Sequence, residues 1–188
     1  TNVTAILESK LSEINAQSGQ VIVMEVQSGQ IKALVGLTRK DSTNYQSCEN
    51  FSVWQSTGLM HPISLLAALE TGKLKLSDKV DTGNGIYQVQ GRELKDHNWH
   101  RGGYGELTVQ EGLAASSNIA IYKTMEKAFG DNPQTFFDLL TNMSYGKPDS
   151  INGIASLQPY KITEKNITWN CIGYEQLISP IQDRKGVV

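Results

Sequence analysis

Apolar residues recur at helical spacing at the start of the chain. Ile6, Leu7, Leu11 and Ile14 predict a helix over residues 3–14, with Gly19 as its stop. The period then changes. Residues 20–26 are rich in β-branched side chains, Gln27-Ser28-Gly29-Gln30 has turn chemistry, and the apolar pattern returns over residues 31–37, so a β-hairpin is expected. Residues 21–24 are apolar on both faces, which predicts a strand inside a sheet. Residues 38–56 are polar and rich in Asn and Ser, the pattern of a long connection. Pro62 suits the first turn of the next helix, and Ile63, Leu65, Leu66, Ala67 and Leu69 make that helix a buried one ending at Gly72.

Residues 81–106 hold a run of glycines and predict a large loop, with one short hairpin over residues 86–94. Thr108-Val109-Gln110-Glu111 fits a capping box, in which Thr and Glu exchange hydrogen bonds with each other's backbone N–H, and starts a short helix through Ala114. Ser116-Ser117-Asn118 interrupts it. A second helix is expected over residues 119–129, stopped by Gly130. Asn132-Pro133 starts a third, with Phe136, Phe137, Leu139 and Leu140 on its buried face. Loop composition follows until residues 172–181.

Composition narrows the function classes. The 188 residues suit one domain or a large part of a bigger one, and 39% hydrophobic with 19% charged residues is ordinary for a globular protein. A net charge of −2, with basic residues scattered among acidic ones, gives no nucleic-acid footprint. No stretch approaches the roughly 20 apolar residues of a membrane span. Cys48 and Cys171 lack metal-ligand spacing, which leaves core thiols or a long-range disulfide open. Asp96, His97 and His100 offer a zinc reading, but a polar loop explains them more simply, and neither metal nor cofactor is expected.

Three segments in order carry a resemblance: Gly19-Gln20-Val21-Ile22-Val23-Met24-Glu25 with Ser28-Gly29-Gln30-Ile31-Lys32-Ala33; then Asp81-Thr82-Gly83-Asn84-Gly85, Asp96-His97 and residues 102–118 ending in Ser116-Ser117-Asn118; then Ile172-Gly173-Tyr174-Glu175 with Ser179-Pro180-Ile181-Gln182. Together they resemble the transpeptidase domain of class B penicillin-binding proteins over residues 5–182. That family attacks a D-Ala-D-Ala stem peptide, or the β-lactam that imitates it, with the serine of an S-x-x-K motif, the lysine one turn later taking the proton. An S-x-N motif faces them, and a K-[T/S]-G strand helps hold the substrate carboxylate and the oxyanion.

The resemblance places Gly58-Leu59-Met60-His61, followed by Pro62, at the S-x-x-K position. Gly58 stands for the nucleophile and His61 for the lysine. Neighbouring registers do not restore the motif: Ser56 would need lysine at Leu59, and Ser64 at Ala67. The S-x-N motif is intact as Ser116-Ser117-Asn118, where retained site geometry and plain helix capping are equally good readings. K-[T/S]-G is absent, Lys185-Gly186 lacking its middle residue.

A glycine cannot form an acyl-enzyme, so the resemblance implies a pseudoenzyme that binds or scaffolds in the cell envelope. The competing expectation is a rewired enzyme of the same family, with Ser116 as nucleophile and His61 as base, or with His61 activating a water beside Gly58. The implied fold is α+β and β-lactamase/transpeptidase-like: one domain over residues 1–188, an antiparallel sheet flanked by helices, and a mainly helical lobe over residues 60–140. The family's last sheet strands are expected to be missing, which would leave a sheet edge open to oligomerisation. Stem peptides or cell-wall synthesis proteins are the implied partners, and an extracytoplasmic site the implied location.

Overall fold

The computed structural model describes residues 2–48, 54–55, 57–145, 167–174 and 177–178. The architecture is α+β, built as a small sheet-and-helix layer joined to a helical lobe. Helix α1 (Asn2–Glu13) lies on a three-stranded antiparallel sheet of order β1-β2-β3, formed by Ser18–Met24, Ile31–Arg39 and Tyr45–Ser47. Leu7 and Leu11 of α1 bury against Leu37, Val21, Val35 and Tyr45. The hairpin pairs Ser18 with Thr38 through Val23 with Ala33, and a bulge follows between Val23 and Met24.

Three expectations for this layer change. Ile6 is 63% exposed because α1 touches the sheet only along the Leu7–Leu11 stripe, and Ile14, 70% exposed, lies in the turn beyond the end of α1. β1 is an edge strand of this sheet among the described residues, as β3 is, and Val23 is 43% exposed. The connection after β2 carries its own strand, β3, and a second one, β4 (Trp54–Gln55), paired with β9 (Leu177–Ile178). Backbone pairing there supplies order that the polar side chains do not signal. The Ser179-Pro180-Ile181-Gln182 and Lys185-Gly186 segments lie outside the described residues, as does the C-terminal sheet question.

The helical lobe holds the main core. A 3-10 turn over Thr57–Leu59 runs straight into α2 (Met60–Glu70), whose Met60, Ile63, Leu65, Ala67 and Ala68 are buried while Leu66 stays 39% exposed. Three more helices surround α2: α3 (Val109–Ala114), α4 (Asn118–Phe129) and α5 (Gln134–Asn142). Phe129 and Phe136 meet at 5.5 Å between ring centres, and Phe137 lies tilted against Phe136 at 5.3 Å. The short α6 (Ile167–Asn170) adds Trp169, Cys171 and Ile172 to the same core. Ser64 of α2 donates to the Cys171 carbonyl at 2.7 Å, which ties this late segment to the central helix. Cys48 and Cys171 are both free thiols.

The glycine-rich stretch is more regular than its composition suggests. The expected hairpin forms as β6 (Ile86–Val89) and β7 (Arg92–Lys95), turning through Gln90 and Gly91 at φ 51° and 75°. Positive φ at both turn residues matches the twist of the flanking strands. β5 (Lys79–Asp81) and β8 (Glu106–Thr108) also pair, which brackets the loop at its base. The capping box forms as expected, Thr108 and Glu111 each holding the other's backbone N–H.

Candidate functional site

The S-x-N motif sits in the corner between α3 and α4. α3 ends in a paired turn: Ser116 N–H bonds the Leu113 carbonyl at 3.0 Å and Ser117 N–H the Gly112 carbonyl at 2.9 Å. That is the Schellman pattern, which requires a left-handed residue at its centre. Ser116 fills that position at φ 51°. Glycine is the usual occupant, since a Cβ there costs about 1–2 kcal/mol. Gly112 lets α4 approach: a Cβ on it would stand 2.6 Å from that of Ala120.

The motif's three residues divide their work. Ser117, the variable middle position, is the cap of α4. Its hydroxyl accepts from Ala120 N–H at 3.0 Å and donates to the buried carboxylate of Asp96. Asp96 also takes the Ile119 N–H at 3.1 Å. Burial raises the pKa of Asp96, and the backbone bond from Ile119 and the Ser117 hydroxyl pull it back. Ser116 and Asn118 are left to face His61.

His61 lies on the first turn of α2, 1% exposed. Its Nδ1 is 3.1 Å from Ser116 Oγ and its Nε2 is 3.1 Å from Asn118 Oδ1. The proton positions follow from Asn118. Its Nδ2 donates to the Lys95 carbonyl at 2.9 Å and to the Tyr174 hydroxyl at 3.1 Å. A carbonyl only accepts, so the amide nitrogen must face Lys95 and the amide oxygen must face His61. Nε2 therefore carries the proton, Nδ1 is bare, and Ser116 donates to it. Burial lowers the pKa of His61 from 6.5 to about 4, against the raising effect of the Asn118 bond, so the ring is uncharged at neutral pH.

Gly58 completes the cluster. A Cβ built on it would stand 2.9 Å from Ser116 Oγ and 4.0 Å from Cε1 and Nδ1 of His61. The space expected to hold a water beside Gly58 is therefore partly filled by the Ser116 hydroxyl. Ser116 itself is exposed, with the half-buried Gly58 and the exposed Leu59 and Tyr174 around it. The structure thus brings His61, Ser116 and Asn118 into one hydrogen-bonded group, with Gly58 beside it. The zinc reading does not assemble: Asp96 turns into α4, His97 meets the Tyr104 hydroxyl and His100 packs edge-on against Trp99. Among the described residues no three His, Cys, Asp or Glu side chains group as metal ligands.

Sequence reasoning missed three parts. The Lys95 carbonyl is backbone and leaves no side-chain signal. Tyr174 stood only as one letter of a glycine-rich segment, yet it stacks on Trp169 and reaches Asn118. An S-x-x-K tetrad also stands late in the chain, Ser144-Tyr145-Gly146-Lys147 before Pro148. It follows the S-x-N motif instead of preceding it. Ser144 lies just past the end of α5, Tyr145 is buried in the core, and Gly146 and Lys147 lie outside the described residues.

A sheet with α1 against it, a helical lobe around α2, and an S-x-N corner facing the start of α2 define a transpeptidase-like domain. The family profile of the penicillin binding protein transpeptidase domain matches residues 19–184, and the chain belongs to that family. Penicillin-binding protein 1A of Streptococcus oralis is 29% identical over 140 residues, 71% of this chain and 21% of the relative. Penicillin-binding protein 1A of Streptococcus pneumoniae is equally similar, with 19% of its length covered. The fold matches the apo TP domain of penicillin-binding protein 3 from Burkholderia pseudomallei, with a TM-score of 0.72 at 22% identity, over 99% of this chain and 54% of that one. A peptidoglycan glycosyltransferase from Burkholderia ambifaria gives the same TM-score at 24% identity, over 97% and 56%. The chain spans about a fifth of the curated relatives and about half of the solved structures.

Proposed function

We propose that this chain is a transpeptidase-like domain of cell-wall synthesis that works outside the cytoplasmic membrane and binds peptidoglycan stem peptides without forming an acyl-enzyme at position 58. One observation carries the reading. Motif order assigns Gly58 to the position where the family holds its serine, and His61 beside it is uncharged and bonded on both ring nitrogens. No side-chain oxygen exists there to be acylated, while the surrounding S-x-N geometry stays assembled.

The test is incubation with a fluorescent penicillin, followed by intact mass, beside an active transpeptidase. An unchanged mass supports the reading. A gain of one drug molecule overturns it, and peptide mapping then locates the adduct.

A second reading rests on the 3.1 Å bond from Ser116 to His61 Nδ1. Here Ser116 is the nucleophile: its oxygen attacks a carbonyl, its proton passes to His61, and the leaving group takes that proton. A penicillin adduct mapped to Ser116 and lost in Ser116→Ala would favour it.

A further inference from the structure

A cavity of about 200 Å³ opens between β5 and α4, and no residue of the cleft lines it. Leu74, Val80 and Val109 give it an apolar wall. Most of its charges are already matched. Lys127 Nζ is 2.9 Å from Asp78 Oδ2, Lys79 Nζ is 2.5 Å from Glu106 Oε1, and the Asp81 carboxylate accepts the Gly83 N–H at 2.8 Å. Two donors remain, consecutive on α4. Lys123 Nζ donates to the Asp81 backbone carbonyl at 2.7 Å and sits 4.5 Å from the centre of the Tyr87 ring, and no carboxylate among the described residues lies within ion-pair distance of it. Thr124 is 3% exposed, and its hydroxyl has no hydrogen-bond partner among the described residues. A helical threonine can return its hydroxyl to the carbonyl one turn back, as Thr141 does to Phe137 at 2.9 Å. Thr124 does not. A buried hydroxyl without a partner is costly, and this one lies on the wall of a cavity that can supply one.

We propose that this cavity binds a small organic monocarboxylate with a branched hydrocarbon body. The carboxylate takes hydrogen bonds from the Lys123 ammonium and the Thr124 hydroxyl, and the hydrocarbon packs on Leu74, Val80 and Val109. One unmatched ammonium suits one negative charge, and Asp78 and Asp81 oppose a second. The volume is too small for a drug-sized ligand and suits a chain of a few carbons. The site is separate from the cleft and depends on neither reading of Gly58 or Ser116.

Three probes test it on the whole chain at pH 7, read by ¹H–¹⁵N NMR titration: isocaproate, its uncharged amide isocaproamide, and inorganic phosphate. Isocaproate should give saturable shifts at the backbone amides of Val80, Val109 and Thr124, and bind roughly tenfold tighter than isocaproamide, the scale of one hydrogen bond to a charged group. Phosphate, which has no hydrocarbon, should shift none of them. Lys123→Met should bring isocaproate down to the affinity of the amide. Thr124→Val should weaken isocaproate roughly fivefold or more, yet melt at or above the parent, because valine fills the same space without an unpaired hydroxyl. Absence of saturable shifts with isocaproate overturns the site and leaves the Thr124 hydroxyl to water. Equal affinity for the amide, or binding of phosphate at these residues, overturns the carboxylate assignment. Unchanged isocaproate affinity in Lys123→Met overturns the role of Lys123. A Thr124→Val variant that melts well below the parent shows a hydroxyl paired within the fold, and overturns its role as a donor to the ligand.

Discussion

Ser116 donates its hydroxyl proton to Nδ1 of His61 across 3.1 Å from a backbone held at φ 51°. The two halves of that relationship pull against each other. The left-handed turn that ends α3 would be more stable with glycine, and only a residue with a side chain can reach His61. The corner therefore trades local stability for a hydroxyl at the mouth of the cleft.

Substitution separates the two effects. Ser116→Ala keeps the strained Cβ and loses the bond to His61, so it should destabilise by about 1 kcal/mol or more. Ser116→Gly loses the same bond but relieves the left-handed strain of about 1–2 kcal/mol, and should fall close to the parent. Urea unfolding of the three proteins checks this. Equal stability of the alanine and glycine variants would mean that the turn is not strained.

His61 gives the protein an acid-sensitive component. Its folded pKa is about 4, lowered first by burial, against an ordinary 6.5. Above 6.5 the ring is neutral in both states and its contribution is intact. As pH falls from 6.5 towards 4 the unfolded chain takes a proton that the folded chain refuses, so stability falls, by on the order of 3 kcal/mol in total. Below 4 the folded ring is protonated too and the loss stops. Asp96, whose pKa burial raises, acts in the opposite sense: its contribution is lost as pH rises. Subtracting the stability profile of His61→Gln from that of the parent isolates His61. A difference that is flat from pH 7 to 4.5 would contradict the buried neutral ring. The imidazole ¹⁵N shifts of His61 should report the Nε2-protonated form across the upper part of that range.

Much of this was legible in the sequence, for identifiable reasons. The helices announced themselves because their buried stripes are long and their ends carry recognisable signals, as at Thr108 with Glu111 and at Gly130. The short hairpin over residues 86–94 was expected within the glycine-rich stretch, and it turns at Gln90-Gly91. β3, β4 and the β5–β8 pair did not, because two- and three-residue strands are too short to show a period. Helical spacing alone did not separate the buried Leu7 and Leu11 from Ile6, which lies off the line that meets the sheet, or from Ile14, which falls just past the helix. At the site, motif order singled out Gly58, His61, Ser116 and Asn118, and these four lie together. The division of Ser116-Ser117-Asn118 between capping and cleft was not, since it depends on Asp96 and on the Lys95 carbonyl.

Restoring a serine is the direct challenge to the non-acylating reading. In Gly58→Ser the new Cβ would press to 2.9 Å from Ser116 Oγ, the end of a short side chain that can rotate away. The cost is the Ser116–His61 bond, about 1 kcal/mol, visible as a small drop in unfolding midpoint. Penicillin should still leave the mass of this variant unchanged, because its nearest base would be a weakly basic histidine in place of a charged lysine. An adduct on the single variant would show that His61 can serve as that base.

Asp96 should matter more to the fold than any residue of the cleft. It is 1% exposed and accepts the Ser117 hydroxyl through both carboxylate oxygens, at 3.0 and 2.9 Å, together with the Ile119 N–H. Ser117 in turn caps Ala120, so one carboxylate secures the first turn of α4 and with it the placement of Asn118. Asp96→Ala removes the acceptor and leaves two buried donors unpaired, each costing about 1–3 kcal/mol. Asp96→Asn keeps one oxygen for the Ile119 N–H and offers its amide to Ser117, whose own proton then lacks an acceptor. Asparagine should therefore recover roughly half of the loss. Thermal melting of the two variants checks the order, and hydrogen exchange at Ile119 and Ala120 should rise first in the alanine variant. If both variants melt with the parent, the start of α4 is held by its packing against α3 and α2, and Asp96 is dispensable to it.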